Sequence, residues 1–170
     1  MSRKTMIYSH KISRPEIDPN CLYGFVLNTS ECLTMIAEED DFLLDGYKII
    51  RNVDLQLCKV TATTKYCTRI MKKEGLLDNL HVFPKVDLTD WRSVFHSLKQ
   101  LGTFVPVENE QDEDFLIGPI RRINKLSVSI DYFDGTGKWQ EPEIIDFKDI
   151  TCVSFDTRYI LTHQKYLKKA

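Results

Sequence analysis

The chain has 170 residues, 42% of them hydrophobic and 28% charged, with a mean hydropathy of −0.28. Its 23 Lys and Arg face 25 Asp and Glu, for a formal charge of −2 and an isoelectric point near 6.1. This composition fits one medium globular domain or two small ones and excludes collagen-like and low-complexity classes. It disfavours broad electrostatic binding to nucleic acid or a membrane surface, which needs a basic excess. No apolar run approaches the ~20 residues that span a bilayer, and the opening MSRKTMIYSH lacks the apolar core of a signal peptide. The cysteines, at 21, 32, 58, 67 and 152, are odd in number and form no CxxC pair. They read as reduced thiols of a cytoplasmic protein, with Cys58 and Cys152 as small core hydrophobes in apolar strand text.

Alternation of apolar and polar residues predicts strands over 4–10, 22–28, 31–37, 46–51 and 55–60. Thr64 to Lys73 then reads as a helix stopped by Gly75, which closes a first unit over residues 1–75. Residues 76–102 form a connector and a middle helix. That helix has Thr89 as its expected N-cap, Trp91, Val94, Phe95 and Leu98 as its apolar stripe, and Gly102 as its stop. A second unit over 103–170 predicts strands at 103–108, 115–123, 125–133, 143–147 and 151–155. In its third strand Leu126, Val128 and Ile130 alternate with Lys125, Ser127 and Ser129. A last helix opens at Thr157 and carries Tyr159, Ile160, His163, Tyr166 and Leu167 on one face, with Lys168 and Lys169 suited to its C-terminal dipole.

The two units repeat each other. Gly24 and Gly118 lie 94 residues apart; Ile49-Ile50 and Ile144-Ile145, like Asp54 and Asp149, lie 95 apart. Five short bent strands hide their edges when they close into a small barrel. The expected fold is therefore mainly β with flanking helices, two tandem five-stranded barrels. Asp54 and Asp149 are expected to cap the tight turn between the last two strands through backbone amides.

Gly24-Phe-Val, Leu33-Thr-Met35-Ile and Ile49-Ile50-Arg51-Asn52-Val53 resemble a faded Sm pattern, so the barrels are similar to SH3-like and Sm-like small barrels. The second half, through Ile117-Gly118, Tyr132-Phe-Asp134, Trp139-Gln-Glu-Pro142, Ile150 to Tyr159 and Lys165-Tyr-Leu167, resembles uncharacterised bacterial proteins with two such repeats. The resemblance implies a fold and imports no activity. Sm-type RNA binding calls for an Arg-Gly step where this chain has Arg51-Asn52, and the loop ahead, Glu38-Glu39-Asp40-Asp41, repels phosphate.

No catalytic constellation emerges. His10, His81, His96 and His163 lack metal-ligand spacing, so no metal or other cofactor is expected. Asp134-Gly-Thr-Gly-Lys138 lacks the full phosphate-loop spacing and precedes a strand, so it reads as a hairpin turn. Glu108 to Asp114 has no glycine to fold it around calcium and reads as a solvated hairpin loop. The candidate binding residues are Tyr132, Phe133 and Trp139, as an aromatic groove for a peptide, with the basic pair Arg121 and Arg122. The structural alternative is that these rings staple the hairpin. The expectation is a non-enzymatic interaction or regulatory module that binds a protein or peptide. The alternative is weak binding of RNA or single-stranded nucleic acid across a barrel face, with bases stacked on its rings.

Overall fold

The computed structural model describes residues 7–167. Ten strands and three helices follow in chain order: β1 His10–Arg14, β2 Asp18–Thr29, β3 Leu33–Asp40, β4 Leu43–Arg51, β5 Leu57–Lys59, α1 Ala62–Lys73, α2 Trp91–Leu101, β6 Phe104–Asn109, β7 Asp114–Ile123, β8 Ser127–Ile130, β9 Glu143–Asp146, β10 Cys152–Phe155 and α3 Arg158–Tyr166. All strands join one antiparallel sheet in the order β5-β1-β2-β3-β4-β10-β6-β7-β8-β9. The fold is mainly β, as the alternation predicts.

Two separate closed barrels are not what the strands form. The free edge of β10 is taken by β4, with Cys152 opposite Ile50, Val153 opposite Ile49 and Phe155 opposite Tyr47, so the halves fuse into one sheet. Each half nevertheless has the same internal order. In the first, the fifth strand returns beside the first and the order runs β5-β1-β2-β3-β4; in the second it runs β10-β6-β7-β8-β9. A single 3-10 turn precedes the fifth strand in both, at Asn52–Asp54 and Phe147–Asp149, and a helix follows it. Gly24 on β2 and Gly118 on β7 occur where a neighbouring backbone crosses closely. A Cβ there would lie 2.6 Å from the Ala37 carbonyl oxygen and 2.0 Å from that of Asp131. Ala37 and Asp131 keep the same 94-residue offset as the glycines. Register shifts between Val26 and Asn28, and between Ile120 and Arg122, mark bulges that bend β2 and β7.

Burial explains why the connector is not a loose tether. Trp91, Val94, Phe95 and Leu98 of α2, with Val86 and Leu88 before it, share one core with Met35 and Ile49 of the first half and Val107, Val128, Ile145 and Val153 of the second. A smaller core joins Ile12, Ile36 and Ile50 of the first half to Cys152 of β10, and α1 seals a third through Met71 against Phe25 and Ala37.

Local chemistry departs from expectation at a few points. Within the described residues the first strand starts at His10, with Lys11 and Ile12 paired on both sides, by β2 and β5; residues 4–6 of the expected strand lie outside the described residues. Leu126 precedes β8 and is 72% exposed, so it does not continue the inward row of Val128 and Ile130. The N-cap of α2 is Asp90, whose carboxylate accepts from the Ser93 amide. Thr89 is spent on Asp87, to which its hydroxyl and amide both donate. α1 begins at a reciprocal Thr61–Thr64 capping box and α3 at Thr157, as its sequence predicts. Lys168 and Lys169 lie outside the described residues.

Candidate functional site

The hairpin at 134–137 is organised by one carboxylate. Asp134 Oδ1 accepts from the Thr136 hydroxyl at 2.6 Å, the Thr136 amide at 2.8 Å and the Lys138 amide at 3.2 Å, while Oδ2 accepts from Gln140 Nε2 at 2.8 Å. These bonds, led by the Thr136 hydroxyl, hold the Asp134 carboxyl below its ordinary pKa. Gly137 supplies the left-handed backbone (φ 73°), and Phe133 bridges Trp139 across the base. The amides of Thr136 and Lys138 already serve Asp134. The segment is a hairpin turn, and those amides are not presented to an anion as a phosphate loop presents them.

Tyr132, Phe133 and Trp139 do come together. Phe133 is 1% exposed, with the Trp139 ring edge-on at 5.7 Å, Phe104 at 6.5 Å and His163 of α3 at 5.3 Å. With Ile117, Ile160 and Leu167 they form the core that fastens α3 to the sheet; Tyr132 and Trp139 are half-buried. Arg121 and Arg122 lie exposed on β7. Arg121 pairs with Asp131 at 3.0 Å, and its carbonyl accepts from Lys99 Nζ at 2.8 Å.

Beside this core opens a cleft of about 490 Å³, walled on one side by Gly135, Thr136, Gly137 and Lys138 and on the other by Thr162, His163, Tyr166 and Leu167 of the α3 end. Tyr166 is 81% exposed, and Tyr159 stacks edge-on against His163 at 4.6 Å. The sequence singled out the hairpin rings and missed this helical wall. The visible signal was the Tyr159, His163, Tyr166 spacing, which also describes an ordinary buried stripe.

A second group of polar residues lies where the halves meet. Arg14, 1% exposed, donates from Nη1 and Nη2 to the two carboxylate oxygens of Glu110 at 2.8 and 2.9 Å. Thr151 Oγ1 donates to Glu110 Oε2 at 2.7 Å. Lys48 reaches Glu38 at 2.9 Å. Burial works against the Lys48 ammonium, yet Cys152, Glu38 and Glu108 around it hold its pKa above the usual range. Glu108 is pushed up chiefly by burial, only partly offset by Lys48. The expected solvated loop is thus shorter than 108–114: Glu108 and Asn109 belong to β6, Glu110 is half-buried, and residues 111–114 are exposed. These carboxylates edge an acidic cleft of about 430 Å³ that also includes Asp18, Glu113 and Asp114. Among the described residues no three His, Cys, Asp or Glu side chains are grouped to hold a metal ion.

Other singled-out residues have structural partners. Arg51 donates from Nε and Nη2 to Asp54 at 2.6 and 3.0 Å, so Asp54 holds an arginine rather than capping amides. The Asn52 side chain donates to the carbonyls of Ser30 and Glu31 and accepts from Thr34. Cys152 is fully buried, but Cys58, expected inside, is exposed: among the described residues β5 is an edge strand with no further strand paired beyond it. No protein-family model, curated protein or solved structure matches this chain.

Proposed function

We propose that the chain is a non-enzymatic cytoplasmic interaction or regulatory module, built from two SH3/Sm-like five-stranded units sharing one sheet, that binds a protein through a short peptide segment. The observation that carries this reading is the cleft between the 134–137 hairpin and α3. It combines an exposed ring (Tyr166), an apolar floor (Leu167), a cation (Lys138) and a glycine-containing rim that lets a peptide backbone approach. The rings named from sequence then act from behind: Phe133 and Trp139 fix the hairpin and, through His163, the helical wall. A ligand of matching chemistry is an extended segment with an apolar or aromatic side chain beside a carboxylate. No helix among the described residues is long and apolar enough to cross a membrane.

Selection of displayed short peptides against the whole chain tests the reading. Enriched sequences should pair an aromatic or branched apolar residue with Asp or Glu, and lose binding to Tyr166→Ala and Lys138→Ala. Selected peptides that bind both variants undiminished would place the site elsewhere. Tight binding of single-stranded RNA that persists at moderate salt, with no peptide enriched, would replace the proposal by nucleic-acid binding.

A further inference from the structure

Among the described residues the sheet contains one junction between halves, and no strand pairs with the matching edges at its two ends. Inside the chain, the fourth strand of the first half (β4) pairs with the fifth strand of the second (β10). The fourth strand of the second half is β9 and the fifth of the first is β5, and these two are the edges of the ten-stranded sheet. The 95-residue offset that relates the 3-10 turns, from their caps Arg51 and Asp146 to Leu55 and Ile150, carries the internal register onto the edges. Val153 opposite Ile49 becomes Cys58 opposite Ile144, and Ser154 opposite Lys48 becomes Lys59 opposite Glu143.

Exposure supports this mapping. Ile49 and Val153 are 0% exposed in the internal junction, whereas Ile144 is 66% exposed and Cys58 lies open at the other edge. An apolar side chain at that height of an edge strand is the kind of surface a further strand covers. The charges also fit. The β9 edge carries Glu141, Glu143 and Asp146, and the β5 edge carries Lys59 beside Lys11 of β1, so copies attract when joined β9 to β5 and repel when joined β9 to β9.

We propose that the occupant of each edge is a second copy of this chain, docked by antiparallel pairing of β9 of one molecule with β5 of the next. The interface is heterologous, so repetition generates a closed ring or an open filament rather than a two-fold dimer. Pro142 occupies the position that Tyr47 holds at the internal junction, so one rung lacks an amide donor and the contact is shorter than its internal counterpart. This inference rests on strand order and register, independently of the peptide cleft.

Sedimentation velocity of the wild-type chain from micromolar to millimolar concentration reads the association directly. Species larger than the monomer should grow with concentration. They should be lost in Lys59→Glu and in Glu143→Lys, and recovered in the double variant, in which the opposite charges are exchanged. Ile144→Cys places a thiol opposite Cys58 of the neighbouring molecule. Antiparallel partners have Cα atoms about 4.5–5.5 Å apart, within disulfide reach. Oxidised glutathione should then give a ladder of covalent multimers that Cys58→Ser abolishes and Cys32→Ser leaves intact. A chain that stays monomeric throughout the concentration range, or adducts that form without Cys58, would overturn the proposal.

Discussion

Arg14 and Glu110, 96 residues apart in the chain, meet as a two-pronged ion pair at 2.8 and 2.9 Å and tie the hairpin of β1 and β2 to the end of β6. The guanidinium is 1% exposed and the carboxylate 16%, so water does little to stabilise either charge alone. Burial works against the Arg14 charge, and the Glu110 hydrogen bond and field more than offset it. Removing one partner by Arg14→Met or Glu110→Leu should cost about 3–5 kcal/mol, because the other charge is stranded. The double variant should recover most of that loss. Urea unfolding midpoints of the four proteins make the cycle.

Glu110 of this pair and Glu108 beside it should respond to pH in opposite directions. Glu110 is held below the ordinary carboxylate pKa, since Arg14 outweighs burial; its stabilisation is present above the unfolded value of about 4.3 and is lost as pH falls through the lower folded value. Glu108 is raised by burial, so it contributes most when protonated and that contribution fades as pH rises through its folded value. Glu108→Gln should therefore be more stable than wild type at neutral pH and lose that advantage near pH ~3, where both states are protonated. Glu110→Gln should be less stable at neutral pH, with the difference shrinking on acidification. Denaturant titrations at the two pH values check both signs.

Backbone crossings give a test of the repeat at the level of packing. Gly24→Ala and Gly118→Ala each push a methyl onto a carbonyl oxygen, at 2.6 and 2.0 Å, and should cost roughly 1–3 kcal/mol or more as the strands move apart. Gly135→Ala meets nothing within 4 Å and should stay within about 0.5 kcal/mol of wild type. Thermal unfolding of the three variants separates crossing from mere glycine loss.

The thiols should divide by environment. Cys152 is buried, and its pKa is pushed up to about 12 by burial, with Lys48 pulling the other way, so it stays a protonated, unreactive thiol at neutral pH. Cys32 and Cys58 are exposed and should react with a colorimetric disulfide reagent in the native protein. Cys152 should react only after unfolding. Prompt modification of Cys152 in the native state, located by peptide mass, would contradict the buried assignment.

Much of the strand text was legible because half-buried strands write their faces into a two-residue alternation, and because Gly24 and Gly118 repeat at a constant offset. The turns were legible where one side chain dictates them, as Asp134 and Gly137 do. Neighbour relations were not. Nothing in the alternation of β4 and β10 says that Ile49 will lie against Val153 rather than each half closing on itself. The same gap hid Arg14: an isolated arginine after a short strand looks solvated until the fold brings Glu110 to it across 96 residues. Cys58 failed for the converse reason, since its apolar neighbours promise a core that an edge strand does not supply. At the candidate site, the sequence named rings by type. Only the fold places Phe133 behind the surface and brings up beside the hairpin an exposed ring the sequence had not assigned to the site, Tyr166 of α3.

That division sets the last prediction. Trp139 is half-buried and edge-on to both Phe133 and Phe104, so Trp139→Ala empties space in the core that holds α3. It should cost about 2–3 kcal/mol, somewhat less than a fully buried tryptophan, and lower Tm by roughly 5–10 °C. Tyr166 is 81% exposed, and Tyr166→Ala should leave stability within about 0.5 kcal/mol of wild type. Binding should sort the same two variants the other way. Tyr166→Ala should weaken a cleft-binding peptide by about 1–3 kcal/mol, the loss of one aromatic anchor. Trp139→Ala should weaken it only in step with the loosening of the hairpin and α3, so lower temperature or a stabilising co-solvent should restore affinity for Trp139→Ala and not for Tyr166→Ala. Calorimetric titration of a selected peptide alongside scanning calorimetry of each variant gives both readouts. A Trp139→Ala chain with unchanged Tm and no binding would make that ring the anchor itself and move the site from the helix to the hairpin.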